Sequence, residues 1–214
     1  MPPLQTARYQ LRGAVARWFE QPAASLLSKL GLSPTAVTVI GLAVTCVGAY
    51  VASRGWFWQA GLLVAAGSVF DLLDGAVARK KGLVSERGAL LDSTADRVAE
   101  AAVLIGVAWY YMGPLTYDRT AVLLAFVAFA GSMMVSYVRA RAEGLGLKGT
   151  SGFLTRPERV VIITVCLLAG SPVPGLWVLA IGTPLSALHR FWAEWRAAGD
   201  QQRARAASDP AKKT

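Results

Sequence analysis

Long apolar runs separated by short basic connections set the pattern of this chain. Six runs can be drawn, at residues 33–53, 56–79, 88–112, 119–141, 157–172 and 174–194. Each is near the ~20 residues that an α-helix needs to cross the hydrocarbon core of a bilayer. The pattern predicts an all-α fold, an integral membrane bundle of six transmembrane helices. The fifth run is short, and Pro172 and Pro174 predict a tight turn after it. Ahead of the first run, residues 4–30 put Leu, Ala, Trp18 and Phe19 on one side of a helix and Arg on the other. That predicts an N-terminal amphipathic helix lying in the membrane interface. Ser33 is placed to cap the first spanning helix, and Pro34 suits its first turn. From Ala197 the chain becomes polar, basic and poor in large apolar residues, the composition of a disordered tail. The organisation expected is a juxtamembrane segment over 1–32, a six-helix transmembrane domain over 33–196 and a basic tail over 197–214.

Composition agrees with a membrane protein. The 214 residues are 54% hydrophobic with a mean hydropathy of +0.43, too apolar for an ordinary soluble domain. The first 30 residues lack the early apolar core of a cleavable signal. Charge then orients the runs. Arg8, Arg12, Arg17 and Lys29 precede the first, and Arg79, Lys80, Lys81 and Arg87 fill the second connection. Arg141, Lys148 and Arg156 fill the fourth, and Arg196, Arg203, Arg205, Lys212 and Lys213 follow the last. The odd connections hold only Arg54 and Arg119. The positive-inside rule therefore predicts a multi-pass protein of the cell membrane with both termini and the even connections in the cytoplasm. Trp56, Phe57 and Trp58 would form an outer aromatic belt with Trp109, Tyr110 and Tyr111. The net charge of +9 is explained by this orientation and by anionic lipid headgroups, so no nucleic-acid partner is expected. Cys46 and Cys166 read as small buried residues, and His189, the single histidine, excludes a histidine-rich metal site.

Four of the seven aspartates fall within the 26 residues from 71 to 96: Asp71, Asp74, Asp92 and Asp96. An ionised carboxylate in a spanning helix costs about 2.5–3.5 kcal/mol on insertion scales, so something must offset four of them. A divalent cation held by oxygen ligands is the usual candidate. Asp71 and Asp74 are three apart and Asp92 and Asp96 four apart, so on helices each pair shares a face. Gly75 and Ala78 continue the first face, and Gly88 lies one turn before Asp92. Small residues there admit either a second helix or a ligand. Two facing helices could hold one or two hard cations such as Mg²⁺, and two metals can clamp a phosphoryl group.

The run Asp-x2-Asp-Gly-x2-Ala-Arg-x8-Gly-x3-Asp-x3-Asp resembles the motif of CDP-alcohol phosphatidyltransferases. All eight fixed positions match: Asp71, Asp74, Gly75, Ala78, Arg79, Gly88, Asp92 and Asp96. The resemblance implies a membrane enzyme that displaces CMP from a CDP-linked lipid with an alcohol, using Mg²⁺ or Mn²⁺, with two ions expected. It implies metal binding by Asp71, Asp74 and Asp92, and makes Asp96 the general base with a share in the metal site. Gly75, Ala78 and Arg79 would adjoin the CDP-lipid, and the Pro34-x3-Thr38 element would bring Thr38 near the cytidine.

A second stretch bears on the acceptor. Ser136-Tyr-Val-Arg-Ala-Arg-Ala-Glu143 and Gly152-Phe-Leu-Thr-Arg-Pro-Glu-Arg159 resemble actinobacterial phosphatidylinositol phosphate synthases within that family. The resemblance implies CDP-diacylglycerol as donor, inositol 1-phosphate as acceptor, acceptor-phosphate roles for Arg139, Arg159 and Arg190, and a homodimer. Arg139 ends the fourth run, Arg159 opens the fifth and Arg190 nears the end of the sixth, so all three are expected on the cytoplasmic side with the active site. Three guanidiniums suit a phosphate dianion through forked hydrogen bonds. Glu143 and Glu158 read as salt-bridge partners. Two alternatives stand beside this reading: a phosphatidylglycerophosphate synthase using glycerol 3-phosphate and, from another class, a divalent-cation transporter.

Overall fold

A computed structural model describes residues 20–147 and 152–208. Among these the secondary structure is helical: α1 Gln21–Lys29, α2 Pro34–Ser53, α3 Phe57–Lys81, α4 Glu86–Tyr111, α5 Arg119–Gly144, α6 Arg156–Leu168 and α7 Val173–Ser208. Three of them, α2, α3 and α5, are long and apolar enough to cross a membrane. The other predicted spans differ for physical reasons. α4 has the length, but its first fifteen residues carry Glu86, Arg87, Asp92, Asp96, Arg97 and Glu100. α6 has 13 residues, about 20 Å at 1.5 Å per residue, against a hydrocarbon core of about 30 Å. α7 is long, but its apolar stretch is diluted by Pro174, Gly182, Thr183, Pro184 and His189.

Two further sequence expectations meet the structure at its ends. α1 covers the last part of the predicted amphipathic helix, and the rest of that segment lies outside the described residues. The tail expected to be disordered from residue 197 instead continues α7 to Ser208. Its alanines favour helix, and Arg203 pairs with Asp200 one turn away at 3.9 Å. Residues 209–214 of that tail lie outside the described residues.

Helix ends follow local chemistry. The Ser33 hydroxyl accepts from the Ala36 N–H at 3.1 Å with Pro34 in the first turn, as the sequence predicts. Gly82, at φ 63°, closes α3 in the left-handed conformation that glycine adopts without strain. Arg79, Lys80 and Lys81 in the last turn complement the helix dipole. Ser85 accepts from the Gly88 N–H at 3.1 Å at the start of α4. Asp118 accepts from the N–H groups of Thr120 and Ala121 to cap α5.

The chain divides into two compact units, Met1–Gly106 and Val107–Thr214. In the first, α2 packs on α3 through small residues. A Cβ on Gly67 would lie 2.1 Å from Thr45 Oγ1 and 2.8 Å from the Gly41 carbonyl oxygen. One on Gly106 of α4 would lie 2.2 Å from the Ala49 carbonyl oxygen. Ala24 and Leu27 of α1 pack on Ala76 and Val77 of α3. In the second unit, α7 packs on α5 and α6. Gly131 of α5 meets Thr183 and Pro184 of α7, whose proline ring lies where no side chain opposes it. Large apolar side chains instead face outward: Val47, Leu62, Val69, Leu123, Phe126, Met134, Ile181 and Leu185 are exposed. Small residues at close helix contacts and large apolar side chains on the outer faces suit a lipid solvent, because helix contacts there gain from close approach and not from expelling water.

Candidate active site

Asp71 and Asp74 lie near the end of α3 and Asp92 in the second turn of α4, joined by a connection of four residues, 82–85. One carboxylate oxygen from each of these three lies within 4.8 Å of the others. Asp74 is buried, and Asp71 and Asp92 are half-buried. Two like charges at ~4 Å repel by about 4 kcal/mol at an effective dielectric of 20, so the cluster calls for positive charge. Hard oxygen donors at this spacing fit Mg²⁺ or Mn²⁺. Asp96 follows Asp92 by one turn on α4, half-buried and outside that group of three.

Among the described residues, Gly75 and Gly88 of the motif do not serve helix packing. A Cβ on Gly75 would meet only the Arg79 guanidinium, at 3.3 Å, and one on Gly88 only Ser85 Oγ, at 3.3 Å, among the described residues. Of the two readings the sequence left open, room for a ligand is the one this geometry favours. Ala78 lies half-buried beside them. Arg79 is exposed and pairs with Glu20 at 3.3 Å, a partner that sequence spacing gave no sign of. Thr38 is buried, and its hydroxyl donates to Asp74 Oδ2 at 2.5 Å.

The second unit brings together another set of charges. Arg159 at the start of α6 and Arg190 in α7 are 2% and 3% exposed, while the Arg139 side chain in α5 is 62% exposed and pairs with Glu143 at 2.8 Å. Arg139, Arg159, Glu143 and Glu194 all lie within electrostatic range of Arg190. Burying a guanidinium is costly unless it is paired, and Glu194, buried like Arg190, supplies an opposite charge in range of it. The Leu154 carbonyl accepts from Arg159 Nη1 at 3.3 Å, and the Leu154 N–H donates to Ser186 Oγ at 3.3 Å. The chain at Gly152 passes so near that a Cβ there would lie 2.7 Å from Ser186 Oγ and 3.3 Å from Arg190 Nη2. Arg190 Nε is buried with no described protein acceptor. Gly152 and Leu154 stood in the stretch that carries the resemblance but were given no role there, and Ser186 was not singled out. Glu158 accepts from the Thr155 hydroxyl, so its salt-bridge expectation is joined by a role at the start of α6.

Comparison with known proteins bears on both sets. The family model for CDP-alcohol phosphatidyltransferase matches residues 32–188, which include every residue of the carboxylate motif. The chain is 34% identical to the phosphatidylinositol phosphate synthase of Mycobacterium tuberculosis over 198 residues, covering 88% of this chain and 90% of that one. It is 37% identical to the archaetidylinositol phosphate synthase of Pyrococcus horikoshii over 168 residues, covering 78% and 85%. The fold superimposes on the crystal structure of the M. tuberculosis phosphatidylinositol phosphate synthase with CDP-DAG bound, with a TM-score of 0.76 at 32% identity over 83% of this chain and 94% of that one. The same enzyme in complex with manganese and citrate gives a TM-score of 0.77 at 32% identity, covering 83% and 89%.

Proposed function

The chain belongs to the CDP-alcohol phosphatidyltransferase family, and from that premise we propose that it transfers the phosphatidyl group of CDP-diacylglycerol to inositol 1-phosphate. The products are phosphatidylinositol phosphate and CMP. The observation that carries the acceptor is the pair of buried guanidiniums, Arg159 and Arg190, with Arg139 in electrostatic range. A free polyol needs neutral donors and acceptors as much as cations. A phosphate dianion matches this charge.

Chemically, the acceptor's hydroxyl oxygen attacks the phosphorus that bears the diacylglycerol oxygen. The bond from that phosphorus to the CMP oxygen breaks, and CMP leaves with the electron pair. Asp96 takes the hydroxyl proton, a general-base role suited to a carboxylate next to the cluster. Asp71, Asp74 and Asp92 would hold the divalent cations, Mg²⁺ or Mn²⁺, with Asp96 sharing in the metal site. When bound, these ions neutralise charge on the transferring phosphoryl group and on the departing nucleotide. Gly75 and Ala78 leave room for the nucleotide, and Arg79 exchanges Glu20 for a phosphate oxygen. Arg139, Arg159 and Arg190 bind the acceptor phosphate. The enzyme is read as a six-span protein of the cell membrane with its site facing the cytoplasm, which the alternation of basic connections supports, and as a homodimer, which the family resemblance supports.

The test is CMP release from CDP-diacylglycerol by the purified protein, with and without Mg²⁺, in the presence of each acceptor. Release that depends on metal and on inositol 1-phosphate is expected. Equal use of free inositol would remove the phosphate requirement. Preference for glycerol 3-phosphate would make the enzyme a phosphatidylglycerophosphate synthase, and metal transport without CMP release would make it a transporter.

A further inference from the structure

We infer that Thr38 is a positioning residue for the metal site, holding Asp74 in its ligating orientation, and is not a contact to the nucleotide. The inference rests on the reading of Asp71, Asp74 and Asp92 as cation ligands. Thr38 Oγ1 lies 2.5 Å from Asp74 Oδ2 and 3.1 Å from the Pro34 carbonyl one turn back on its own helix. A hydroxyl has one proton to give. The shorter distance and the charged acceptor assign it to Asp74, since hydroxyl-to-carboxylate bonds run at about 2.5–2.7 Å. That bond restrains the Asp74 carboxylate, one oxygen of which lies within 4.8 Å of an oxygen of Asp71 and of Asp92.

The surrounding packing makes this bond specific to a short side chain. Thr38, Gly41, Thr45 and Gly48 recur along one face of α2, and a Cβ on Gly41 or Gly48 would press tightly against α3. A Cβ on Gly41 would lie 3.0 Å from Phe70 Cβ and 3.1 Å from the Gly67 carbonyl oxygen, one to two turns before Asp74. The two helices are therefore so close that a threonine reaches across. Both Thr38 and Asp74 are 6% exposed, so water does not replace the bond freely. α2 carries none of the motif's carboxylates, yet through this bond it sets the angle of one of them. Partners of this kind, one step removed from the ion, typically tune metal affinity by roughly ten- to a hundredfold.

The experiment measures Mn²⁺ binding to the purified full-length protein in detergent by electron paramagnetic resonance, with no substrate present. KM for CDP-diacylglycerol is determined alongside. Thr38→Val keeps the shape and loses the donor, so its Kd for Mn²⁺ is expected to rise roughly ten- to a hundredfold. Thr38→Ser keeps the donor and should bind close to wild type. In an Asp74→Asn background, Thr38→Val should add nothing further. Should Thr38→Val fail to fold by thermal melting, Thr38→Ala removes the same donor and carries the same expectation. Wild-type Mn²⁺ affinity in the valine or alanine variant, with a raised KM for CDP-diacylglycerol, would overturn the inference and make Thr38 a nucleotide contact. Absence of Mn²⁺ binding by the wild type would overturn the metal reading itself, and this inference with it.

Discussion

The aspartates of the first unit and the arginines of the second reach their sites by opposite routes. Asp71, Asp74, Asp92 and Asp96 come from two consecutive helices and one 26-residue stretch. Arg139, Arg159 and Arg190 come from three helices, α5, α6 and α7, with other residues of each run in between. The carboxylates repel one another, and only Asp74 among the clustered three is buried. Arg159 and Arg190 are both buried, and Leu154 supplies a carbonyl to one while Gly152 passes against the other. The first arrangement, three carboxylates within 4.8 Å of one another, calls for an added cation. The second is already built into the protein, with backbone atoms as part of its frame. Chemistry at the first should thus be sensitive to charge and to metal, and recognition at the second to geometry.

Substituting the carboxylates gives the largest expected effect. Asp96→Asn should lower turnover by roughly 10²- to 10⁴-fold with CDP-diacylglycerol binding retained, the range for loss of a general base. Asp71→Asn, Asp74→Asn and Asp92→Asn should instead weaken the metal dependence of CMP release along with turnover, read from titrations with Mn²⁺. Near-normal turnover of Asp96→Asn at saturating metal would erase the division of labour among the four.

The arginines should respond more moderately and in a different parameter. A charge-assisted hydrogen bond contributes about 1.5–3 kcal/mol, so Arg159→Gln or Arg190→Gln should raise KM for inositol 1-phosphate by roughly ten- to a hundredfold. The KM for CDP-diacylglycerol should stay near wild type. Arg139→Lys should be milder, since the charge survives and only the planar fork is lost. An equal loss for all three would mean that burial does not distinguish them.

The smallest effects contrast two kinds of glycine in the first unit. Gly67→Ala forces a methyl to within 2.1 Å of Thr45 Oγ1 and should destabilise the fold, an overpacking cost of about 1–3 kcal/mol, visible as a lowered Tm. Gly75→Ala meets only the end of Arg79, so Tm should hold while the KM for CDP-diacylglycerol rises. A fall in Tm for both would make Gly75 a packing residue after all.

These contrasts explain what could be read from the sequence. The carboxylate cluster was legible because its residues are close along the chain and helical periodicity brings them onto two faces. Whether Gly75 and Gly88 admit a helix or a ligand was not legible, because that depends on what stands opposite. Nor was the Thr38 bond to Asp74, which spans 36 positions and requires the α2–α3 contact. The arginines could be named from a resemblance, but their burial could not, since Arg139 and Arg159 carry the same charge and each stands at the end of an apolar run. Among the helices, α2, α3 and α5 follow directly from apolar length. α6 ends at Leu168, where Gly170, at φ 76°, and Pro172 stop it. α7 outruns its apolar stretch because an alanine-rich polar segment can extend a helix already nucleated by packing.

Residues 82–85 join the two helices that bear all four carboxylates, so bringing these groups together closes a short loop at little entropic cost. That half of the protein also leaves the ribosome first. The nascent polypeptide acquires its concentrated negative charge before the helices bearing Arg159 and Arg190 have been synthesised. On the reading of these carboxylates as cation ligands, a divalent cation would bind the growing chain as well as the finished transferase and favour whichever folded intermediate binds it. Starving dividing cells of the ion is expected to reduce the amount of protein reaching the membrane, measured by immunoblot, in addition to slowing each molecule already there.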